Sequence, residues 1–235
     1  MKKLGLVGGM GPESTILYYQ GILNGVQKAV GKDYFPPLTI ESVNVFEVLQ
    51  LCKSEDYDAL TSYLMEAITN LASGGADFAA LSANTPHIVF DRLQAASPIP
   101  LVSIIETTCA EAQRQKFTKI GLLGTIFTMT GAFFQKPFQE ASIEIVTPKP
   151  TEMVWINEKI SQELEFGIVK ESTLEGFQAI IERMRQEDGI QALVLGCTEL
   201  PLLLHEEESS LPYLDTLQLH VQALVAKILD RPNRF

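Results

Sequence analysis

At 235 residues, with 46% hydrophobic and 20% charged, the chain is long enough for one large or two small domains with real cores, which excludes disorder. A formal charge of -11 and a pI near 4.8 exclude a nucleic-acid backbone as partner, because neutralising phosphates takes clustered Lys and Arg. The longest apolar runs, such as Ala192 to Leu195, fall far short of the ~20 residues of a membrane-spanning helix, and Met1-Lys2-Lys3 leads into no signal-peptide core, so a cytoplasmic protein is expected.

Strand-length apolar runs alternate with helical patterns, as in α/β proteins with parallel sheets. Lys3 to Val7 reads as a first strand, Gly8-Gly9-Met10-Gly11 as its turn, and Pro12 as the first residue of a helix, where its missing N–H costs nothing. Leu38 to Val45 is expected as a strand and Tyr57 to Ser73 as a helix stopped by Gly74-Gly75. The strand Phe78 to Leu81 leads to Asn84 and a helix near Ile88 to Ala95. Past Pro98 and Pro100, Leu101-Val102-Ser103 precedes a helix over Glu106 to Lys116 and a strand over Lys119 to Leu123. Phe133 to Ala141 reads as helix, Ile143 to Val146 as strand, and Asn157 to Phe166 and Thr173 to Gln186 as helices. Ala192 to Leu195 is a further strand, and Leu217 to Leu229 a strong final helix.

Two internal matches organise this list. Phe78-Ala79-Ala80-Leu81-Ser82-Ala83-Asn84-Thr85-Pro86-His87 aligns with Ala192-Leu193-Val194-Leu195-Gly196-Cys197-Thr198-Glu199-Leu200-Pro201 at an offset of 114. Lys3 to Gly9 aligns with Lys119 to Thr125 at an offset of 116. Two matches at nearly equal offset imply duplication. The expected fold is therefore α/β, as two pseudo-symmetric three-layer α/β/α domains with mostly parallel sheets. The site is expected in the cleft between them, since ligands of open α/β sheets sit at the strand carboxyl ends.

Of the three cysteines, Cys52 and Cys109 read as inert core residues. Cys197, just past a strand and before a helix start, is expected to have a lowered thiol pKa. Neither a disulfide framework nor a metal site is indicated by the spacing. Asn84, Thr85 and Thr198 suit a carboxylate cradle, or could cap the helices that follow. A carboxylate held there would place its α-carbon between position 83 and position 197. Because Ala83 has no titratable group, only Cys197 offers a base.

Gly9-Met10-Gly11 lacks the third glycine of a dinucleotide fingerprint, as Ser14 stands in its place. His87 is the best histidine for a Cys/His hydrolase pair with Cys197 but reads more readily as a helix residue. Glu13 and Glu199 could orient groups near the base, or simply favour helix starts. Trp155 reads as packing, and His205 and His220 carry no motif.

Leu6-Val7-Gly8-Gly9-Met10-Gly11, Ala83-Asn84-Thr85-Pro86-His87 and Gly196-Cys197-Thr198-Glu199 together resemble the aspartate/glutamate/hydantoin racemase superfamily, most closely its aspartate racemase branch. Pro12-Glu13-Ser14-Thr15, Leu123-Gly124-Thr125, Thr128-Met129, Gln162-Glu163-Leu164 and Asp215-Thr216 extend the resemblance from Lys3 to the final helix. It implies a cofactor-independent racemase of an acidic amino acid, aspartate or glutamate, usually dimeric, so that a homodimer is expected. It also implies substrate contacts at Met10, Gly11, Asn84, Thr85, Thr125, Thr128, Thr198 and Glu199. The chain crosses back near its end in this family, giving domains of residues 1–100 plus 208–235 and of residues 101–207. The usual pattern has a cysteine at both turns, and Ala83 takes the first place. Alternatives within the same fold are a single-cysteine decarboxylase or isomerase, as in arylmalonate decarboxylases, and a non-catalytic amino-acid-binding relative. The basic residues that hold a distal carboxylate in aspartate racemases have no clear match in Ser42 to Glu47 or Gln162 to Phe166. Lys53 and Lys170 are nearest and read as solvated surface.

Overall fold

The computed structural model describes residues 1–205 and 209–230. Two compact units emerge from the pattern of contacts: Met1–Thr107 with the segment from Leu217 onward, and Thr108–Thr216. The expected boundary at 207/208 lies outside the described residues. The segment Leu211 to Asp215 goes with the second unit because Tyr213–Asp215 is a strand of its sheet. At the other crossing, the division falls inside a helix instead of at residue 100.

The first unit contains β1 (Leu4–Gly8), α1 (Pro12–Val30), β2 (Leu38–Ser42), α2 (Val45–Lys53), α3 (Tyr57–Ser73), β3 (Phe78–Leu81), α4 (Phe90–Ala96) and β4 (Leu101–Val102). It also holds the start of α5 (Ile104–Arg114). The sheet order is β2-β1-β3-β4, every pair parallel. Alternation along the strands sends Leu4, Leu6, Phe78 and Ala80 to one face, where they pack with Tyr18, Ile22 and Val26 of α1 and with Leu217, Val221 and Leu224 of the final helix. Gly5 points the opposite way, onto Leu71 of α3. Helix α3 buries Leu60, Leu64, Ala67, Ile68 and Leu71, and Asp56 caps it by accepting from the Ala59 N–H at 3.0 Å.

The second unit contains β5 (Lys119–Leu123), α6 (Ile126–Thr130), α7 (Ala132–Glu140), β6 (Glu144–Val146), α8 (Pro150–Gln162), α9 (Glu171–Arg183), β7 (Ala192–Leu195) and β8 (Tyr213–Asp215). The final helix, α10 (Thr216–Ile228), returns to the first unit. Its sheet order, β6-β5-β7-β8 and all parallel, repeats that of the first unit, so β5 and β7 correspond to β1 and β3. Leu123, Leu193 and Leu195 pack with Ile156 and Ile160 of α8 and with Phe177 and Ile180 of α9. Among the described residues, no helix is long and apolar enough to cross a membrane.

Two elements differ in extent from expectation. The second strand stops at Ser42 because Asn44 starts α2, its side chain accepting from the Phe46 N–H at 3.0 Å. Helix α8 begins at Pro150, not Asn157, with the Glu152 carboxylate accepting from the Lys149 N–H at 2.7 Å. It ends at Gln162 because Glu163 leaves helical geometry, at φ -124 and ψ -64.

Candidate functional site

The turn after β7 is built around close backbone approach. Gly196 donates its N–H to the Leu123 carbonyl at 2.7 Å, and a Cβ there would lie 2.8 Å from that same oxygen. Any larger residue before Cys197 would push the strand ends apart. Cys197 is 8% exposed. Its Sγ–H donates to Glu199 Oε2 at 2.8 Å, and Thr198 Oγ1 donates to the same oxygen at 2.9 Å. Burial, and then the Glu199 charge, hold the thiol well above its ordinary 9.0, with a smaller contribution from Glu165. The lowered pKa expected from a helix start is thus overturned. The element that comes next is the short 3-10 turn Leu200–Leu202, and its partial charge is outweighed by desolvation and a neighbouring carboxylate. The site holds a protonated thiol with a proton acceptor already in hydrogen-bond contact.

Glu165, an exposed residue on the 3-10 turn Leu164–Phe166, has a pKa raised by partial desolvation of its carboxyl and by the Glu199 charge. Glu163, buried, accepts from Lys159 Nζ at 2.7 Å, Lys170 Nζ at 3.0 Å and Thr173 Oγ1 at 2.6 Å. Those donors pull its carboxyl down to about 2. Lys170 is therefore an ion-pair partner of a buried carboxylate, not plain solvated surface. Thr125 caps α6, accepting from the Thr128 N–H at 3.4 Å. Thr128 is fully buried, its methyl 3.1 Å from where a Cβ on Gly196 would stand.

In the first unit the turn after β3 is held from within. Ser82 continues the ladder, donating its N–H to the Val7 carbonyl at 3.0 Å. It is fully buried while Ala83 is half-buried, in keeping with opposite side-chain directions. Ser82 Oγ makes no hydrogen bond to any described residue. Asn84 is 5% exposed and its side chain does not cap the 3-10 turn Thr85–Val89 that follows. Thr85 is half-buried on that turn. The turn after β1 stands at the same sheet edge. Gly9 adopts φ 84, where a Cβ would collide with the Val43 carbonyl, and its N–H donates to Thr15 Oγ1 at 2.9 Å. Met10 is 6% exposed, and the Gly11 carbonyl accepts from the Thr15 N–H at 3.2 Å.

His87 is fully committed inside its own unit. Nδ1 lies 3.0 Å from the Ala83 carbonyl and Nε2 3.4 Å from the Ile104 N–H. Burial lowers its pKa to about 4. A Cys/His pair with Cys197 needs a free ring nitrogen, and neither is free. His220, which carried no motif, is also buried, between Tyr18 Oη at 2.7 Å and the Val102 carbonyl at 3.1 Å, and its pKa falls to about 3. Cys52 is 1% exposed with its thiol raised to about 11 by burial, and Cys109 is buried near the Pro137 carbonyl at 3.4 Å. Trp155 packs on Phe177, ring centroids 5.3 Å apart. The environments of Glu163 and Glu165 are not visible in the sequence, because a carboxylate's neighbours in space leave no trace in local pattern.

The sequence matches the Asp/Glu/Hydantoin racemase family over residues 7–224. It is 25% identical, over 218 residues covering 91% of this chain and 92% of the relative, to the broad specificity amino-acid racemase RacX of Bacillus subtilis (strain 168). The crystal structure of an aspartate racemase homologue from Pyrococcus horikoshii OT3 superposes with a TM-score of 0.87 at 36% identity, covering 97% of this chain and all of that one. Picrophilus torridus aspartate racemase shares the fold at a TM-score of 0.76 and 21% identity, over 97% of this chain and 94% of its own. With the repeated parallel sheets and the two matching turns, these similarities place the chain in the Asp/Glu/hydantoin racemase family of isomerases.

Proposed function

We propose that this protein is an amino-acid racemase whose acid/base chemistry is one-sided, carried by Cys197 with Glu199 and without a cofactor. The observation that supports it is the 2.8 Å contact from the Cys197 thiol to Glu199. Glu199 takes the thiol proton, and the thiolate removes the substrate α-proton. The Cα–H bond breaks, its electron pair passes into the enolate of the carboxyl group, and the proton resides on sulfur. Return of that proton regenerates the starting enantiomer; delivery of a proton to the other face by water gives inversion, and the hydroxide so formed is neutralised by the proton held on Glu199, which restores the thiol and the carboxylate. Ala83, at the position equivalent to Cys197 in the repeat, has no proton to give. Asn84, Thr85 and Thr198 hold the substrate carboxylate, with Met10, Gly11, Thr125 and Thr128 supporting the turns on which they stand.

The acidic substrate class is supported by the family description and by the aspartate racemase homologue. The neighbourhood of the thiol broadens it. Glu165 and Glu199 both act on Cys197, and Lys159 and Lys170 are paired with Glu163. A substrate's distal carboxylate would meet like charge there, so neutral side chains are accepted alongside acidic ones. Replacing Glu165 with glutamine should lower KM for L-glutamate and L-aspartate about two- to fivefold, the scale of a partly exposed charge pair, with KM for L-alanine unchanged. Equal effects on all three would remove Glu165 from specificity.

The test of the chemistry is α-proton exchange in D2O, followed by NMR over a panel of L- and D-amino acids. Exchange of one enantiomer faster than its inversion is expected, and its loss in Cys197→Ala. Inversion that survives Cys197→Ala would defeat the assignment of the base.

A further inference from the structure

In the turn after β3, three consecutive carbonyls are engaged from inside the unit. Ser14 Oγ donates to the Ser82 carbonyl at 2.9 Å, His87 Nδ1 lies 3.0 Å from the Ala83 carbonyl, and the His87 N–H donates to the Asn84 carbonyl at 2.9 Å. In a trans peptide the C=O and the N–H point in opposite directions. Drawing these oxygens inward therefore turns the N–H groups of Ala83, Asn84 and Thr85 the other way, as in backbone concavities that bind anions. A loose carbonyl in that place would repel a carboxylate.

Of the three carbonyls, that of Ala83 depends on a ring whose tautomer is dictated by its second contact. The Ile104 N–H can only donate, so Nε2 must accept at 3.4 Å and the ring proton must sit on Nδ1, aimed at Ala83. Phe90 stacks on the imidazole at 4.8 Å between centroids and 11° between planes, which fixes its rotation. His87 is 3% exposed. Depression of its pKa to about 4 keeps it neutral, and so in this tautomer, through the physiological range.

We propose that His87 is a positioning residue for carboxylate binding: by holding the Ala83 carbonyl through Nδ1–H and the first residue of α5 through Nε2, it orients the Asn84 N–H toward the substrate carboxylate. This rests on the reading of the turn as the carboxylate cradle. Nothing in the reaction passes through the imidazole itself.

The experiment follows backbone amide shifts of Asn84 and Thr85 by NMR as L-glutamate and L-alanine are titrated into the full-length protein. Wild type, His87→Leu, His87→Asn and Thr85→Ala are compared, with thermal unfolding of each. Leaving a buried carbonyl unsatisfied corresponds to about a tenfold change in an equilibrium constant. His87→Leu should weaken binding by about that factor and raise KM for α-proton exchange with little change in kcat. His87→Asn places an amide N–H where Nδ1–H stood and should recover most of the binding, although it loses Ile104. Nitrogen-15 shifts of the wild-type ring should report the Nδ1–H tautomer at pH 7.

If Thr85→Ala weakens binding while a folded His87→Leu does not, the positioning role fails and the cradle stands. If neither weakens it, or the wild-type amides do not respond, both fail. Should His87→Leu not fold, a His87→Asn protein that folds but binds no better than one-tenth as well as wild type would overturn the proposal, as would an Nε2–H tautomer.

Discussion

The contact between Cys197 and Glu199, on which the proposed chemistry rests, sets two observables against each other. Removing the charge of Glu199 relieves a repulsion that raises the thiol pKa, yet it also removes the proton acceptor. In Glu199→Gln, iodoacetamide should therefore alkylate Cys197 faster than in wild type at pH 8, read by mass spectrometry against Cys52 and Cys109. Exchange of the substrate α-proton should meanwhile fall by about 10²- to 10⁴-fold, the usual reach of a general acid/base. Parallel changes in the two rates would mean that Glu199 only shapes the turn. The place of Cys197 just past a strand was legible in the sequence. Its protonation state was not, because it depends on burial and on a carboxylate two residues on whose direction the sequence does not encode. Likewise the position of His87 could be read, but its commitment to Ala83 and Ile104 follows from a 3-10 turn where a regular helix had been expected nearby.

Between residues and domains, the segment from Glu163 to Thr173 shows how one buried carboxylate fastens a loop. Glu163 draws Lys159 from before the loop and Lys170 and Thr173 from after it, while its carbonyl accepts the N–H groups of Phe166 and Ile168, each at 3.0 Å. Glu165, whose charge reaches Cys197, rides on that loop. Replacing Glu163 with alanine should speed amide hydrogen exchange at Phe166, Gly167 and Ile168 by about tenfold or more, since protection reports the local opening free energy. Unchanged protection there would show that the backbone turn stands without the carboxylate. Long amphipathic elements such as α3, whose apolar positions recur at helical spacing, were legible to the residue. The missed elements, α2, α6 and β8, are short. Their identity comes from a cap, as with Asn44 and Thr125, or from pairing with a distant strand, as when Leu214 meets Val194.

At the scale of the molecule, duplication is the organising fact: two sheets of identical strand order, each ending in a turn with matching sequence. The first unit carries two buried neutral histidines, and this gives it a distinct response to acid. Unfolded, both would titrate near 6.5; folded, they take protons only near 4 for His87 and near 3 for His220. The unfolded state therefore binds more protons between those limits, and stability, complete above about pH 6.5, falls as pH drops toward 3. Melting followed by calorimetry from pH 7.5 to 4 should show that decline, and a His220→Gln variant that folds should show a shallower one. An equal slope in the variant would assign the acid sensitivity to other groups. The overall two-domain α/β plan was visible in the two offsets, because buried parallel strands and their glycine turns are short-range signals. The line between units was not, because it depends on which sheet Tyr213–Asp215 joins.

In the proposed function Cys197 works from one side and position 83 is a vacated acid/base place. The most direct measurement is of Ala83→Cys beside wild type: rates of inversion from each enantiomer by chiral chromatography, with α-deuteration of each followed in D2O. Wild type should deuterate one enantiomer preferentially with slow inversion, and Ala83→Cys should deuterate both and raise inversion by about tenfold or more. Wild type that already deuterates and inverts both enantiomers at equal rates, with Ala83→Cys no faster, would contradict that function.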